Sequence, residues 1–248
     1  MTRATAFAVF ALATLTASAA RAQFPPEKLE NLKVLPADMP VRALLDTMRS
    51  FTRALGVRCS YCHVGEEGQN LSAYDFKSDE KPAKQKARTM LRMVGAINGE
   101  YLPKLPARRE PPIAVTCTTC HRGVAEPRPL PAVVLATYDR AGADSAEAMY
   151  RSLRERYYGR AAYDFGDASL VEVAAALRQK NRLADAVRFL RLNVDVSPNS
   201  AFAHRQAADA LLAAGDTAAA RASLERAVTL NPNDQQAKRA LDAIRPKP

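Results

Sequence analysis

Two copies of one five-residue pattern contain every cysteine of this chain. Residues 59–63 (CSYCH, motif 1) and 117–121 (CTTCH, motif 2) both read Cys-x-x-Cys-His, and they use four cysteines and two of three histidines. In this pattern the thiols add across the vinyl groups of a haem, and the adjacent histidine ligates the iron. We therefore predict two covalently attached haem c groups. The predicted attachment residues are Cys59, Cys62, Cys117 and Cys120, and the predicted iron ligands are His63 and His121.

The N-terminal segment is typical of a cleavable export signal. Arg3 gives a positive n-region, residues 4–15 form an apolar core, and residues 20–22 read as an A-x-A cleavage site. The apolar core is too short for a membrane span, which needs about 20 apolar residues. We predict a signal peptide at residues 1–22 and a mature periplasmic chain from Gln23. An uncleaved membrane anchor is the alternative.

Zinc sites and disulfides are the alternative uses of the four cysteines. Cys-x-x-Cys pairs also bind zinc, but zinc–thiolate sites are mostly intracellular. Disulfides Cys59–Cys62 and Cys117–Cys120 would leave the histidine after each pair unexplained. Haem attachment explains the thiols, the histidines and the export signal together, so we favour it.

An amphipathic helix with a methionine is predicted before motif 1. It begins near Pro40, with Asp38 as a possible cap, and it ends at Gly56. Apolar residues recur at three- and four-residue steps along this segment and include Met48. Met48 lies about three helical turns before motif 1. A helix lying over a porphyrin would therefore present this thioether to the iron face opposite His63.

A second amphipathic helix is predicted before motif 2. It starts near residues 78–79, has Pro82 in its first turn and runs to about Tyr101. Met90 lies within its apolar stripe and Met93 at the edge. A methionine on an apolar face is usually a core residue, but each iron needs a sixth ligand and a methionine–histidine pair is a known haem ligation. We predict Met48 and Met90 as ligands, with Met93 in reserve.

A 34-residue period marks the C-terminal part of the chain. Pro198 and Pro232 are 34 residues apart, and the same shift aligns Leu190 with Leu224. Two helices per 34-residue unit with a terminal proline is the tetratricopeptide pattern. We predict the turns between helices at Asn181 and Gly215, which tolerate a left-handed backbone. Two units are few, so the preceding helix or the haem domain is expected to cover the first one.

These observations predict an all-α protein with a small multihaem c-type cytochrome domain followed by a tetratricopeptide-like domain. The predicted boundaries are 1–22 for the signal peptide, 23–135 for the diheme domain, 136–168 for a connector and 169–248 for the repeats. The proline-rich stretch 122–133 is read as extended, and a short helix is expected from about Asp144 to Tyr158. His204 is expected to be an ordinary repeat-surface histidine.

The haem segment resembles the photosynthetic reaction-centre cytochrome c subunit family. The resemblance covers residues 29–125 and rests on four stretches: NLKVL at 31–35, GVRCSYCH at 56–63, KARTMLRMVGAINGEYL at 86–102 and VTCTTCHRG at 115–123. It implies the axial pairs Met48–His63 and Met90–His121. The photosynthetic subunit carries four haems, whereas this chain has two attachment motifs and no histidine between Met90 and Cys117. A diheme relative is therefore expected.

Two haems with both axial positions filled predict an electron carrier between redox partners, not an enzyme. A diheme peroxidase-like enzyme with one labile axial ligand is one alternative, and a scaffold subunit of a larger redox assembly is another. Partners are expected to be redox proteins, reached through the repeats, and a membrane redox complex is a further candidate. The formal charge of +10 is spread along the chain, without the clustering of a nucleic-acid groove, so no nucleic-acid partner is predicted.

Overall fold

The computed structural model describes residues 24–106 and 110–245, and within these ranges the chain is helical without strands. One isolated bridge pairs Val64 with Asp75. The all-α prediction is confirmed, whereas the predicted signal peptide lies outside the described residues. No helix in these ranges is long and apolar enough to cross a membrane.

Nine α-helices occur in the described ranges. They are α1 Val41–Leu55, α2 Pro82–Ala96, α3 Cys117–His121, α4 Leu130–Tyr157, α5 Asp167–Gln179, α6 Leu183–Val196, α7 Ala201–Ala213, α8 Thr217–Leu230 and α9 Gln235–Ala243. The chain divides into two compact units. Among the described residues, the first unit contains those up to Thr52 together with those of Arg58–Val115, and the second contains Arg53–Val57 and those from Thr116 onwards.

Helix α1 has the bounds that its sequence predicts. The carbonyl of Pro40 accepts the first helical hydrogen bond, from the Leu44 N–H at 3.0 Å. Gly56 follows the last turn with a φ of 65°, the left-handed conformation that glycine adopts without a steric penalty. The apolar stripe that contains Met48 is half-buried along its length.

Helix α2 begins later than predicted, at Pro82. The fixed φ and missing N–H of proline suit the first helical position, where no backbone donor is needed. The segment at residues 78–79 stays outside the helix, and the Asp79 carboxylate there accepts hydrogen bonds from Asn31 and Lys33. A π-helical turn, Ile97–Tyr101, extends the helical run to the predicted end.

Helix α4 is longer than the short helix predicted from Asp144 to Tyr158. It starts at Leu130, because Pro129 and Pro131 occupy the cap and first turn, where proline is tolerated. The stretch 122–133 is therefore helical at its end and not extended throughout. Gly142 breaks the helix with a φ of 79°, and the part after this break corresponds to the predicted helix.

The tetratricopeptide-like pattern of residues 169–245 is confirmed. Helices α5 and α6 form one hairpin and α7 and α8 the next, and the two hairpins begin 34 residues apart, at Asp167 and Ala201. Asn181 and Gly215 lie at the hairpin turns with φ values of 58° and 83°. Helix α9 begins a further 34 residues on, at Gln235.

Helix α4 covers the first hairpin. Its buried apolar residues belong to the same hydrophobic core as α5 to α9, and they are Leu130, Val134, Ala146 and Tyr150. The Tyr138 hydroxyl donates a 2.5 Å hydrogen bond to Asp185 on α6. Arg188, also on α6, pairs with Glu147 of α4 at 2.7 Å. The expectation that a preceding helix covers the repeats is therefore confirmed.

Candidate functional site

Motif 1 folds as a tight helical turn directly after α1. Residues Cys59–Tyr61 form a 3₁₀ turn, and the Cys59 carbonyl accepts hydrogen bonds from the Cys62 and His63 N–H groups at 3.2 and 3.0 Å. This turn places both thiols and the imidazole on one short segment. All four cysteines of the chain are free thiols, so neither predicted disulfide alternative is formed.

His63 is half-buried beside an aromatic ring. The ring of Phe76 meets it edge-on at a centroid distance of 5.0 Å. Burial, followed by the nearby positive charge of Lys84, lowers the pKa of His63 to about 4. The backbone of Phe76 acts in the opposite direction, but Nδ1 of His63 is buried without a hydrogen-bond partner of good geometry. The imidazole is therefore neutral at pH 7, which is the form that ligates iron.

Motif 2 folds as the short helix α3 with a reciprocal cap. The Thr116 N–H donates to the Thr119 hydroxyl at 3.0 Å, and the Thr116 side chain accepts from the Thr119 backbone. Arg122 and Gly123 then adopt φ values of 50° and 88°, which reverses the chain. This turn follows directly after His121 and brings Val124 back towards it.

The turn after motif 2 holds the ring of His121. The Val124 N–H donates to the His121 carbonyl at 2.9 Å, and the Val124 carbonyl lies 3.0 Å from Nδ1 of the ring. Because a carbonyl can only accept, Nδ1 must carry the proton. In the neutral ring Nε2 is then the nitrogen that can bind a metal, and such a second contact orients metal-binding histidines.

Two glycines meet at the end of α1. The Gly123 N–H donates to the Ala54 carbonyl at 2.8 Å. A Cβ atom at Gly56 would lie 2.1 Å from the Gly123 carbonyl oxygen, well inside any permitted contact. The backbone at residue 56 therefore approaches the turn after motif 2 more closely than any side chain allows.

The predicted methionine ligands lie on the predicted helices. Met48 is half-buried on α1 and belongs, like motif 1, to the first unit. Met90 and Met93 are 44% and 45% exposed on α2 in the first unit, whereas motif 2 belongs to the second. The pairing of these methionines with the two irons stays a prediction.

Three residues around the motifs were missed by the sequence analysis. Phe76 and Lys84 approach motif 1 from segments that are distant from it in sequence, so no local sequence pattern predicts either of them. The third is Val124, whose carbonyl holds the His121 ring. Here Gly123 gives a usable signal, because a glycine next to the motif predicts a chain reversal.

His204 is buried, contrary to the surface position expected from sequence. Its Nε2 lies 3.0 Å from the Pro198 carbonyl, so the ring ties α7 to the loop before it. Within the described residues, no group of three or more His, Cys, Asp or Glu side chains is arranged to hold a metal ion.

Helical turns that combine two free thiols with one oriented imidazole define a haem-attachment protein of the c type. The chain matches the photosynthetic reaction centre cytochrome C subunit family over residues 5–160, which is more than half of its length. It therefore belongs to this family, as the resemblance predicted. Residues 201–241 match the tetratricopeptide repeat family.

Two curated relatives are similar to part of the chain. Cytochrome c-554 of Chloroflexus aurantiacus is 44% identical over 68 residues, which are 27% of this chain and 14% of that protein. The photosynthetic reaction center cytochrome c subunit of Rubrivivax gelatinosus is 31% identical over 88 residues, 32% of this chain and 22% of that protein. The matched segments thus span less than a quarter of either relative.

Among the solved structures that match the chain is a complex of two proteins. The complex of PcrH with the chaperone binding region of PopB has a TM-score of 0.29 and 15% identity, covering 46% of this chain and 88% of that one. The TM-score is too low to support an argument about fold.

Membership of the cytochrome family implies covalently bound haem c, and the residues of both motifs fit this group. Each motif offers two free thiols, which the thioether bonds of haem c require. Burial lowers the pKa of His63 to about 4, and the Val124 carbonyl orients the ring of His121 through Nδ1, so both imidazoles fit the role of iron ligand.

Proposed function

We propose that this chain is an exported diheme c-type cytochrome that passes electrons between redox partners and is not an enzyme. Each haem would supply one-electron iron chemistry when bound. The proposal places the mature protein in the periplasm, after removal of residues 1–22, with the domain boundaries given by the sequence analysis. Redox proteins would be its partners, and the repeats are the proposed docking region.

The observation that carries the proposal is the pair of motif turns with all four thiols free. Cys59 and Cys62 would attach one haem, and Cys117 and Cys120 the other. His63 and His121 would hold the irons from one side. The chain thus offers separate donors for two haems, and each cysteine is used once.

Met48 and Met90 are the proposed ligands on the opposite iron faces. Thioether ligation raises the reduction potential of a haem relative to a second imidazole. With both axial positions filled, substrates have no open coordination position. The role of the protein would then be to hold the irons in place, exclude water and control their potentials.

A haem count tests the proposal directly. The purified periplasmic protein should give two haems per chain in a pyridine haemochrome assay. The double variant Cys117→Ala/Cys120→Ala should give one haem, and Cys59→Ala/Cys62→Ala should give the other. A wild-type count other than two would contradict the diheme assignment.

The 44% exposure of Met90 favours a second candidate, a diheme peroxidase-like enzyme with a labile ligand. Such an enzyme needs one iron that exchanges its sixth ligand. Addition of cyanide or hydrogen peroxide to the ferric protein separates the two functions. An electron carrier should show an unchanged visible spectrum and no peroxide turnover, whereas rapid cyanide binding at one haem would favour the enzyme.

A further inference from the structure

Four cations gather around Asp79 and motif 1, and we call Lys33, Lys81, Lys84 and Arg88 the cationic cluster. Three of them share one carboxylate, that of Asp79. Its oxygens lie 2.6 Å from the Lys33 ammonium, 3.3 Å from Lys84 and 2.9 Å from Arg88. The fourth, Lys81, donates a hydrogen bond to the carbonyl of Ser60, inside motif 1.

Two members of the cationic cluster are removed from solvent. The side chains of Lys84 and Arg88 are 11% and 9% exposed. Lys84 donates hydrogen bonds to the carbonyls of Phe76 and Ser78 at 2.9 and 2.7 Å. Arg88 donates to the Asn31 carbonyl at 3.1 Å. These carbonyls accept hydrogen bonds from the Lys84 and Arg88 side chains, but because they are neutral they do not cancel the positive charge of either residue.

Within the cationic cluster, the cations outnumber the carboxylates that pair with them. Asp79 is the single ion-pair partner of Lys33, Lys84 and Arg88, and Lys81 has no ion pair among the described residues. Coulomb energies rise several-fold as the surroundings become less polar, so excess charge on buried groups acts over longer distances than on exposed ones.

Lys84 is linked to the predicted iron ligand through one residue. Its ammonium binds the backbone carbonyl of Phe76, and the Phe76 ring contacts the His63 imidazole edge-on. A cation with an 11% exposed side chain therefore lies one residue away from the imidazole of the predicted ligand.

We propose that the cationic cluster raises the reduction potential of the haem attached at motif 1, with Lys84 as its main contributor. Iron gains one positive charge when the ferrous form gives up an electron. A fixed cation nearby disfavours this ferric form, so the ferrous form is retained to a higher potential. The inference rests on the proposed diheme function. Lys84 acts on the haem through its positive charge and not through contact with the iron.

A redox titration of the full-length holoprotein tests the proposal. Lys84→Gln should lower one of the two midpoint potentials and leave the other unchanged, and Lys84→Arg, which keeps the charge, should restore the wild-type value. Lys86→Gln is the matched control, because Lys86 is an exposed lysine two residues along α2 with no ion pair among the described residues. This control should titrate like the wild type.

A second variant keeps the test independent of the buried site. Lys81→Gln removes the cation that contacts motif 1 and should lower the same midpoint potential. This variant tests the proposal even if Lys84→Gln does not retain two haems. Unchanged potentials in the Lys81 and Lys84 variants, or an equal shift in Lys86→Gln, would overturn the proposal. A wild-type protein without two haems in the pyridine haemochrome assay would instead overturn the proposed function.

Discussion

The two motif histidines are prepared for iron in different ways. His121 is held by one directional contact, because the Val124 carbonyl fixes the proton on Nδ1. His63 lacks such a partner and depends on burial and nearby cations to stay neutral. Second contacts of this kind raise ligand basicity, so the two sites should differ electronically even with the same ligand types.

Methionine-to-histidine variants test the predicted axial ligands. Ferric haem with methionine ligation has a weak far-red absorption band, which is lost when histidine replaces the methionine. Met48→His and Met90→His should each remove about half of this band. Met93→His is the matched control, because its exposure of 45% equals that of Met90 within one per cent. Loss of the band in Met93→His and not in Met90→His would reverse the assignment on α2.

Acid unfolding reports on the ion pairs of Asp79. Hydrogen bonds from Arg88 and then Lys33 hold the pKa of this carboxyl far below its ordinary value of 3.8. A carboxyl with a depressed folded-state pKa adds stability above about pH 5 and loses it as the pH falls below about 4. Asp79→Asn should therefore lower the melting temperature at pH 7, and the difference from wild type should shrink towards pH 2.

The control for this measurement is Asp46→Asn. Asp46 forms an exposed ion pair with Arg49 on the same helix, at 3.0 Å, and exposed pairs contribute little. Its melting temperature should follow the wild type at every pH. A constant difference between Asp79→Asn and wild type across the pH range would contradict the ion-pair explanation.

At the level of elements, the contact between the end of α1 and the turn after motif 2 depends on Gly56. Gly56→Ala places a Cβ 2.1 Å from the Gly123 carbonyl oxygen and forces a side chain to a φ of 65°. We expect a loss of roughly 3 kcal/mol or more in the free energy of unfolding, measured by denaturant titration.

Gly159→Ala separates the clash from the backbone strain. Gly159 has a φ of 77°, and nothing lies within 4 Å of a Cβ added there. This variant should lose only the backbone cost, about 1 kcal/mol. Equal losses in the two variants would show that the glycine contact carries no packing energy.

The elements best predicted from sequence are those with local signals. Pro40 and Gly56 bracket α1, and the 34-residue period gives the hairpins with their turns at Asn181 and Gly215. Helix α4 was only half predicted, because prolines at 127–131 read as a breaker although two of them stand at a helix start. Proline can end a helix or stand in its first turn, and the packing of the neighbouring residues decides which of the two occurs.

The site residues also divide into those that a local sequence pattern predicts and those that only the fold brings together. The attachment cysteines and motif histidines are local patterns, and sequence alone proposes them. The ring of Phe76 contacts His63 from 13 positions further along the chain, and Lys84 binds the Phe76 carbonyl. No periodicity of the sequence encodes such contacts. Charge balance around a buried histidine depends on which cations the fold brings together, so it becomes visible only in three dimensions.

At the scale of the whole molecule, the two units differ in what they bury. The second unit has a continuous apolar core, with Phe189, Leu177 and Leu224 fully buried. In the described part of the first unit no apolar side chain is buried, and the one buried residue is Arg88. A domain without an apolar core is rarely stable by itself, and bound cofactors commonly supply the missing contacts.

If the proposed haems pack against the first unit, their removal should therefore unfold α1 and α2 and spare the repeats of the second unit. In a chain with all four cysteines replaced by alanine, we expect hydrogen exchange to be fast throughout α1 and α2, because a porphyrin no longer packs against their half-exposed apolar faces. Amides of α5 to α8 should stay protected, since the repeats have a continuous apolar core of their own. Phe189→Ala in the haem-loaded protein is the reciprocal control: it should destabilise the repeats by about 3–5 kcal/mol and leave protection in α1 unchanged. Full protection of α1 and α2 in the haem-free chain would show that the first unit is stable without a cofactor.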